Sequence, residues 1–323
     1  MKALSVFSGG LDSMLAAEII RAQGIEVLAL FFETPFFSSG KARESAATID
    51  LPLKVIDITK RHLEVVKTPR HGHGGNMNPC IDCHALMIRC AGELLEKEEA
   101  QFIITGEVLG QRPMSQTRGS LVVVARDSGF DGLLLRPLSA KCLPVTIPEE
   151  KGWVDRGRLL DWSGRSRKPQ IAHAEQLGIK KYPAPAGGCL LTDIVFSRRL
   201  RDLFNNRPDA ETREIELLKI GRHFRIGPRT KLTVGRNKKE NQAIQALAKP
   251  EDLIFQTTTV PGPTTLVVGD VSPEMATLVA SITVSYSDEG NNQDVEMRVT
   301  GKEGEKTVQA KGRDKSEFKH YMI

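Results

Sequence analysis

Cysteine is scarce, with five residues in a chain of 323. An odd and small number argues against a disulfide scaffold and makes the cytoplasm the expected compartment. Aromatic residues are only 5% of the chain, too few for a surface built mainly on stacked rings. No apolar run reaches the roughly 18–20 residues of a membrane span, so no membrane partner is expected. The opening MKALSVFSGG runs from a short apolar stretch straight into glycines, without the cleavage site of a secretory signal. Internal repeats and low-complexity tracts are missing too, which argues against solenoids and fibrous folds. What remains is an ordinary globular composition, 40% hydrophobic and 26% charged, long enough for about two domains.

The net charge of +5 is unevenly placed. Residues 197–249 hold 14 basic and 6 acidic side chains, against 31 and 34 in the rest of the chain. One stretch therefore carries the whole positive excess. Such a stretch is either a solvated helical face or a binding surface for a polyanion, nucleic acid before membrane.

Patterning separates two halves. Apolar, β-branched runs at Ala3–Phe7, Glu26–Phe32, Leu53–Ile58, Phe102–Thr105 and Leu133–Leu135 alternate with helical spacing at Leu11–Ala22, Lys41–Ile49 and Asp82–Glu98. Alternation with short connections predicts an α/β fold, a doubly wound parallel sheet. Such sheets bind ligands beyond the C-terminal ends of their strands. After Gly227-Pro228 the chain becomes β-rich. Strands are expected at Lys231–Val234, Leu253–Gln256, Thr265–Val268, Ile282–Tyr286, Val295–Val299 and Thr307–Gln309, with a helix at Met275–Ile282. The expected division is residues 1–195, a basic linker or helix at 196–212, and a smaller β-rich α+β domain at 213–323.

The first strand ends in Ser8-Gly9-Gly10-Leu11-Asp12-Ser13 and a helix follows at once. Two glycines allow close backbone approach to an anion, and the helix start presents free N–H groups and its positive dipole end. The spacing and lysine of a Walker A loop are absent. The hexad resembles the signature of the PP-loop ATP pyrophosphatases, an adenine nucleotide α-hydrolase-like fold. That resemblance implies ATP split to AMP and pyrophosphate, Mg²⁺ as cofactor, and a substrate carbonyl that becomes adenylated. It makes Ser8, Gly9, Gly10, Asp12 and Ser13 the phosphate-side residues. By position, the backbone around Phe31 would read the adenine.

Three cysteines stand where a ligand can approach. Cys80 and Cys83 form a C-x-x-C at a helix start, and Cys189 follows the turn Pro185-Ala186-Gly187-Gly188. A helix N-terminus favours thiolate. Cys90 and Cys142 read as ordinary core or loop thiols. Three chemistries suit the set: a [4Fe-4S] cluster with one open iron, a persulfide and disulfide relay, or zinc completed by His71, His73 or His84. Asn78-Pro79 with Cys80 and Cys83 is similar to the N-P-x-x-x-C motif of PP-loop tRNA 2-thiouridylases. There sulfur transfer uses two cysteines, matched here by Cys83 and Cys189. The extra Cys80 resembles the three-cysteine set of cluster-dependent tRNA thiolases.

The segment Thr105–Thr117 lies beyond the fourth strand. It is rich in glycine and polar side chains, with one arginine, and suits nucleotide or base contact. It resembles the T-G-[ED]-x-x-G-Q-x-x-S-Q-T stretch of the tRNA 4-thiouridine synthases, the ThiI family, and Arg136-Pro137-Leu138 matches that family's R-P-L strand. Gly106, Gln111, Ser115 and Gln116 carry over, within a resemblance covering about residues 2–150. The family's RNA-capturing N-terminal domains and its rhodanese-like domain have no counterpart in the sequence; a cluster with an open iron would carry an exogenous sulfide and make the sulfur-carrier domain unnecessary.

Val234-Gly235-Arg236-Asn237-Lys238-Lys239-Glu240-Asn241 reads as strand, basic turn and helix. It resembles the V-G-R-N-x-x-x-N turn of the NFACT-R RNA-binding domain over roughly 213–323. Thr257 and Thr258 stand where that family has a histidine. The resemblance makes Arg236, Lys238 and Lys239 RNA contacts. A small β-rich dimerisation domain is the alternative, which leaves a homodimer open.

Together the motifs predict an ATP-dependent tRNA sulfurtransferase. It would form 4-thiouridine at tRNA position 8, with Cys80, Cys83 and Cys189 holding a [4Fe-4S] cluster. Sulfide or a cysteine desulfurase persulfide would be the sulfur donor. The alternatives are a 2-thiouridine or 2-thiocytidine synthase, or a non-catalytic RNA- or ribosome-associated protein.

Overall fold

The computed structural model describes residues 1–184, 189–290 and 293–323. The chain divides into two compact units, Met1–Thr192 and Asp193–Ile323. No helix among the described residues is long and apolar enough to cross a membrane.

The first unit runs β1 (Lys2–Val6), α1 (Leu11–Arg21), β2 (Glu26–Glu33), α2 (Gly40–Thr48), β3 (Leu53–Asp57), α3 (Thr59–Lys67), α4 (Cys80–Gly92), β4 (Phe102–Thr105), α5 (Arg118–Ser128), β5 (Leu134–Leu135), α6 (Ile147–Glu150) and α7 (Lys168–Gln176). Its sheet has the order β3-β2-β1-β4-β5, and every pairing is parallel. Alternate residues feed two cores. Ala3, Val27, Ala29, Phe31, Phe102 and Ile104 pack with α1, α2 and α7 on one face. Leu4, Leu30, Phe32 and Ile103 pack with α4 and α5 on the other. The sheet is therefore doubly wound, as the strand–helix alternation predicts. Strand order reverses between β1 and β4, so the loops after these two strands flank the crevice where such sheets take ligands.

The second unit runs α8 (Ile194–Asn206), α9 (Thr212–Leu217), β6 (Arg222–Arg225), β7 (Lys231–Val234), α10 (Lys238–Ala246), β8 (Leu253–Thr257), β9 (Thr264–Val268), α11 (Pro273–Ser285), β10 (Asp294–Gly301) and β11 (Gly304–Lys311). Its six strands are antiparallel, in the order β11-β10-β8-β9-β7-β6. The basic segment is helical at α8, which buries Phe196, Leu200 and Leu203 and leaves Arg198 and Arg201 exposed.

Two elements differ from expectation. Ile282–Tyr286 is not a strand: α11 continues to Ser285. Its β-branched residues face the core, where the Thr283 hydroxyl donates to the Val279 carbonyl and meets the Thr265 hydroxyl, each at 2.8 Å. Burial overrides the strand preference of the residues. The long helix starts at Cys80 and ends at Gly92 rather than Glu98. A Cβ at Gly92 would lie 2.3 Å from the Phe130 ring, so that glycine is fixed by packing.

Candidate active site

Gly9 takes φ +76°, and a Cβ there would sit 2.7 Å from the Ala42 backbone. Only glycine serves at such a crowded left-handed position. The start of α2 thus presses on the loop, and Ser45 Oγ donates to the Gly9 carbonyl at 2.7 Å. Ser13 Oγ donates to the Gly10 carbonyl at 2.7 Å, and Ser8 Oγ accepts from the Gly10 amide at 3.3 Å. Gly10 is the N-cap of α1 and supplies no side-chain acceptor, so the first amides of α1 stay available to an anion.

Asp12 stands in the first turn of α1, not on the loop before it. Its Oδ2 accepts from Gln111 Nε2 at 3.1 Å and lies 3.4 Å from an Arg167 guanidinium nitrogen. Its Oδ1 is buried and has no hydrogen-bond partner among the described residues. Burial pushes the Asp12 carboxyl upward, against the opposing pull of Arg167 and Gln111.

The loop after β4 ties this region to the cysteines. Gly106 lies against α1, where a Cβ would fall 2.5 Å from the Ser13 amide. The next residue, Glu107, is buried and accepts from Arg136 Nε at 2.8 Å and from Thr105 Oγ1 at 3.1 Å. It also meets His84 Nδ1 on α4 at 2.8 Å. Burial alone would raise the Glu107 carboxyl, but Arg136 and His84 outweigh it and hold it at about 2. Farther along the loop, Met114 Sδ lies 3.7 Å from Asn78 Nδ2, which donates to Cys80 Sγ at 3.2 Å. Ser115 and Gln116 are buried, and Gln116 folds the loop back by accepting the Gly110 amide on its carbonyl at 2.7 Å. The Phe31 ring is packed in the core, edge-on to Phe37, which leaves only backbone for adenine contact there.

Cys80 and Cys189 lie near enough to Cys83 to raise its thiol, and Cys80 near enough to Cys189 to raise that one. The glycine turn at 185–188 lies outside the described residues. The expected lowering of thiol pKa at the α4 start does not hold for Cys83. Burial, then its two cysteine neighbours, pushes it well up, and burial raises Cys189 to about 11. Desolvation of a thiolate outweighs one helix end. His62, on α3, lies 3.2 Å from Cys83 Sγ through Nε2. It is fully buried, its Nδ1 has no hydrogen-bond partner among the described residues, and burial lowers it to about 4. It is therefore a neutral imidazole beside the thiol at physiological pH.

The histidines weighed as zinc ligands are held elsewhere. His71 meets Asp127 at 2.7 Å, His73 the Val66 carbonyl at 2.8 Å, and His84 Glu107. Among the described residues no group of three or more His, Cys, Asp or Glu is arranged around one metal ion. Cys90 is a core thiol, and Cys142 donates to the Asp161 carbonyl at 3.1 Å.

In the second unit the basic turn has a structural logic. A Cβ at Gly235 would fall 2.0 Å from Asn241 Oδ1. Asn241 uses that space to accept from the Thr264 amide at 3.0 Å and to donate to the Gly262 carbonyl at 3.2 Å. Asn237 caps α10 by accepting from the Glu240 amide at 3.0 Å. Arg236 is paired with Glu240, whereas Lys238 and Lys239 are exposed with no ion-pair partner among the described residues.

Residues 1–141 match the family model described as thiamine biosynthesis protein (ThiI). The first unit is ThiI-like. Residues 221–322 match the NFACT protein RNA binding domain, so the second unit is NFACT-R-like. Both matches fall on the segments whose motifs carry the two resemblances. Among solved structures, a 4-thiouridine synthetase–RNA complex with bound ATP aligns at 21% identity and TM-score 0.38, covering 55% of this chain and 41% of that one. A predicted tRNA methyltransferase subunit from Methanocaldococcus jannaschii aligns at 16% identity and TM-score 0.36, covering 55% and 76%. The C-terminal part of a fibronectin/fibrinogen-binding protein from Streptococcus suis aligns at 17% identity and TM-score 0.29, covering 49% and 80%.

Proposed function

We propose that the chain is an ATP-dependent tRNA sulfurtransferase that forms 4-thiouridine, with position 8 of tRNA as the target. The observation that carries the reading is the loop after β4. It packs on the first turn of α1 through Gly106, holds Asp12 through Gln111, reaches α4 through Glu107, and meets Asn78, just before α4, through Met114. One segment thus touches both the start of α1 and the cysteine helix, which supports a two-step reaction that needs an anion site beside thiols.

In the first step the uridine O4 attacks the α-phosphorus of ATP. The bond from that phosphorus to the β-phosphate bridging oxygen breaks, and pyrophosphate leaves with the electron pair. A uracil oxygen is a poor leaving group until it carries the adenylate. In the second step hydrosulfide attacks C4, the C4–O bond breaks, AMP departs with the electron pair, and the sulfhydryl proton replaces the N3 proton lost on adenylation. The α1 amides, Ser8 and Ser13 receive the phosphates, and Gln111 orients Asp12. The free Oδ1 of Asp12 suits Mg²⁺, a hard cation that offsets phosphate charge when bound.

Three thiols suit a [4Fe-4S] cluster in donor type. Cys80, Cys83 and Cys189 would hold it, and an iron without protein ligand can bind a sulfide. The NFACT-R-like unit supports RNA as the substrate carrier, through Lys238, Lys239 and Arg236.

The test is anaerobic incubation with unmodified tRNA, Mg·ATP and sulfide, with pyrophosphate assay and mass spectrometry of the tRNA nucleosides. Pyrophosphate and 4-thiouridine are expected, and Asp12→Ala should lower pyrophosphate release by about 10²-fold or more. Release of ADP and orthophosphate would overturn the adenylation, and a 2-thio product would move the target to C2.

A further inference from the structure

The segment that follows the ThiI match brings one more cation to the phosphate loop. Ser163 forms a parallel bridge with Leu109, and the Gly164 amide donates to the Leu109 carbonyl at 2.7 Å. Gly110, at φ +77°, approaches Gly164 so closely that a Cβ would lie 3.3 Å from its amide nitrogen. Ala174 on α7 and Ile179 just after it anchor the far end in the core shared with α1. Arg167, the residue before α7, is thereby fixed beside Asp12.

The contact between them is incomplete on both sides. A well-formed arginine–carboxylate pair makes two short parallel hydrogen bonds. Here one guanidinium nitrogen reaches one oxygen at 3.4 Å. Arg167 Nε and Asp12 Oδ1 are both buried without a hydrogen-bond partner among the described residues. Two buried polar atoms of opposite character, left open at the strand-order reversal next to free helix amides, mark a place built for a ligand bearing both charges. A magnesium–triphosphate has that character: its cation suits the carboxylate and its phosphate oxygens suit the guanidinium.

We propose that Arg167 is a phosphate-binding residue of the ATP site, held by Asp12 until Mg·ATP enters and then transferred to a phosphate oxygen as Asp12 turns to the metal. The assignment rests on the adenylating reading of the site and adds to it a residue from outside the ThiI-matched span.

Equilibrium titration of the full chain with Mg²⁺ and α,β-methylene ATP, and separately with adenosine, tests it. A charge-assisted contact of this kind is expected to give Arg167→Ala a loss of roughly 10–100-fold in analogue affinity. Adenosine affinity should be unchanged, and Arg167→Lys should recover part of the loss. A purely structural partner of Asp12 would not separate the two ligands. Equal analogue affinity in wild type and in both variants overturns the assignment and leaves the adenylating reading standing. If Arg167→Ala does not fold, equal affinity in Arg167→Lys and Arg167→Gln overturns it in the same way. A wild-type chain that binds no ATP analogue overturns both.

Discussion

Glu107 is a buried, ion-paired carboxylate of the first unit, and its replacement by glutamine has a calculable cost. The side chain is buried, with Arg136 and His84 on its two oxygens. A carboxyl that ionises near 4.5 when free and near 2 here contributes about 3 kcal/mol of stability at neutral pH. Glu107→Gln leaves Arg136, itself only 7% exposed, as a buried charge without its counter-charge, which costs roughly 3–5 kcal/mol. In a unit of this size that lowers the melting temperature by roughly 6–20 °C. Both tryptophans, Trp153 and Trp162, lie in the first unit, so tryptophan fluorescence follows its unfolding without interference from the second. The acid limb provides an independent check. Because the folded value is depressed, the contribution is complete above pH 4.5 and is lost as pH falls from there toward about 2. Wild type should lose stability across that window and Glu107→Gln should lose less. A variant that melts within about 2 °C of wild type and shows the same acid limb would refute the buried-pair argument.

Other outcomes follow from the same geometry. Lys238→Glu with Lys239→Glu should weaken tRNA binding and reduce the slope of log affinity against log salt by roughly 0.7–0.9 per lost phosphate contact; an unchanged slope would point to dimerisation instead. About four irons per chain are expected after anaerobic purification, lost in Ala variants of Cys80, Cys83 or Cys189 and kept in those of Cys90 and Cys142. Full thiolation by iron-free protein would favour the persulfide relay. His223 is buried, and burial, with Lys231 and Arg199 nearby, holds it well below 6.5. The unfolded chain therefore takes up a proton there first, and the second unit should lose up to about 1.4 kcal/mol per pH unit as pH falls below 6.5. Hydrogen exchange of its peptides reads this loss, and His223→Gln should flatten it.

The parallel sheet was legible because its strands are short, apolar and bounded by turns, with helical spacing between. The strand expected at Ile282–Tyr286 failed for an identifiable reason. Ile, Thr, Val and Ser in alternation satisfy a period of two, yet the Ser272 cap starts a helix that the core then extends, with Ser272 Oγ accepting from the Met275 amide at 3.3 Å. Local spacing could not weigh that competition. Gly235 and Asn241 show the opposite case. Their spacing reads as a motif because two backbone groups from a distant loop must reach one amide side chain, and only a glycine leaves room for it.

At the candidate site the same distinction separates what could be read from what could not. Ser8, Gly9, Gly10, Asp12 and Ser13 fall within six residues because they span one strand end and one helix start, so sequence shows them as a block. Cys80 and Cys83 are visible for the same reason. His62 carries no such mark: it sits mid-helix on α3, 21 residues before Cys83, and meets it only because α3 and α4 cover the same face of the sheet. Arg167 is 155 residues from Asp12 and reaches it through the Leu109–Ser163 bridge. Each meets a group that the motifs supply, a thiol at 3.2 Å in one case and a carboxylate at 3.4 Å in the other. The partners that sequence could not supply are thus the ones whose position depends on the closed sheet. They tie the chemistry of each motif to the correct folding of the whole first unit.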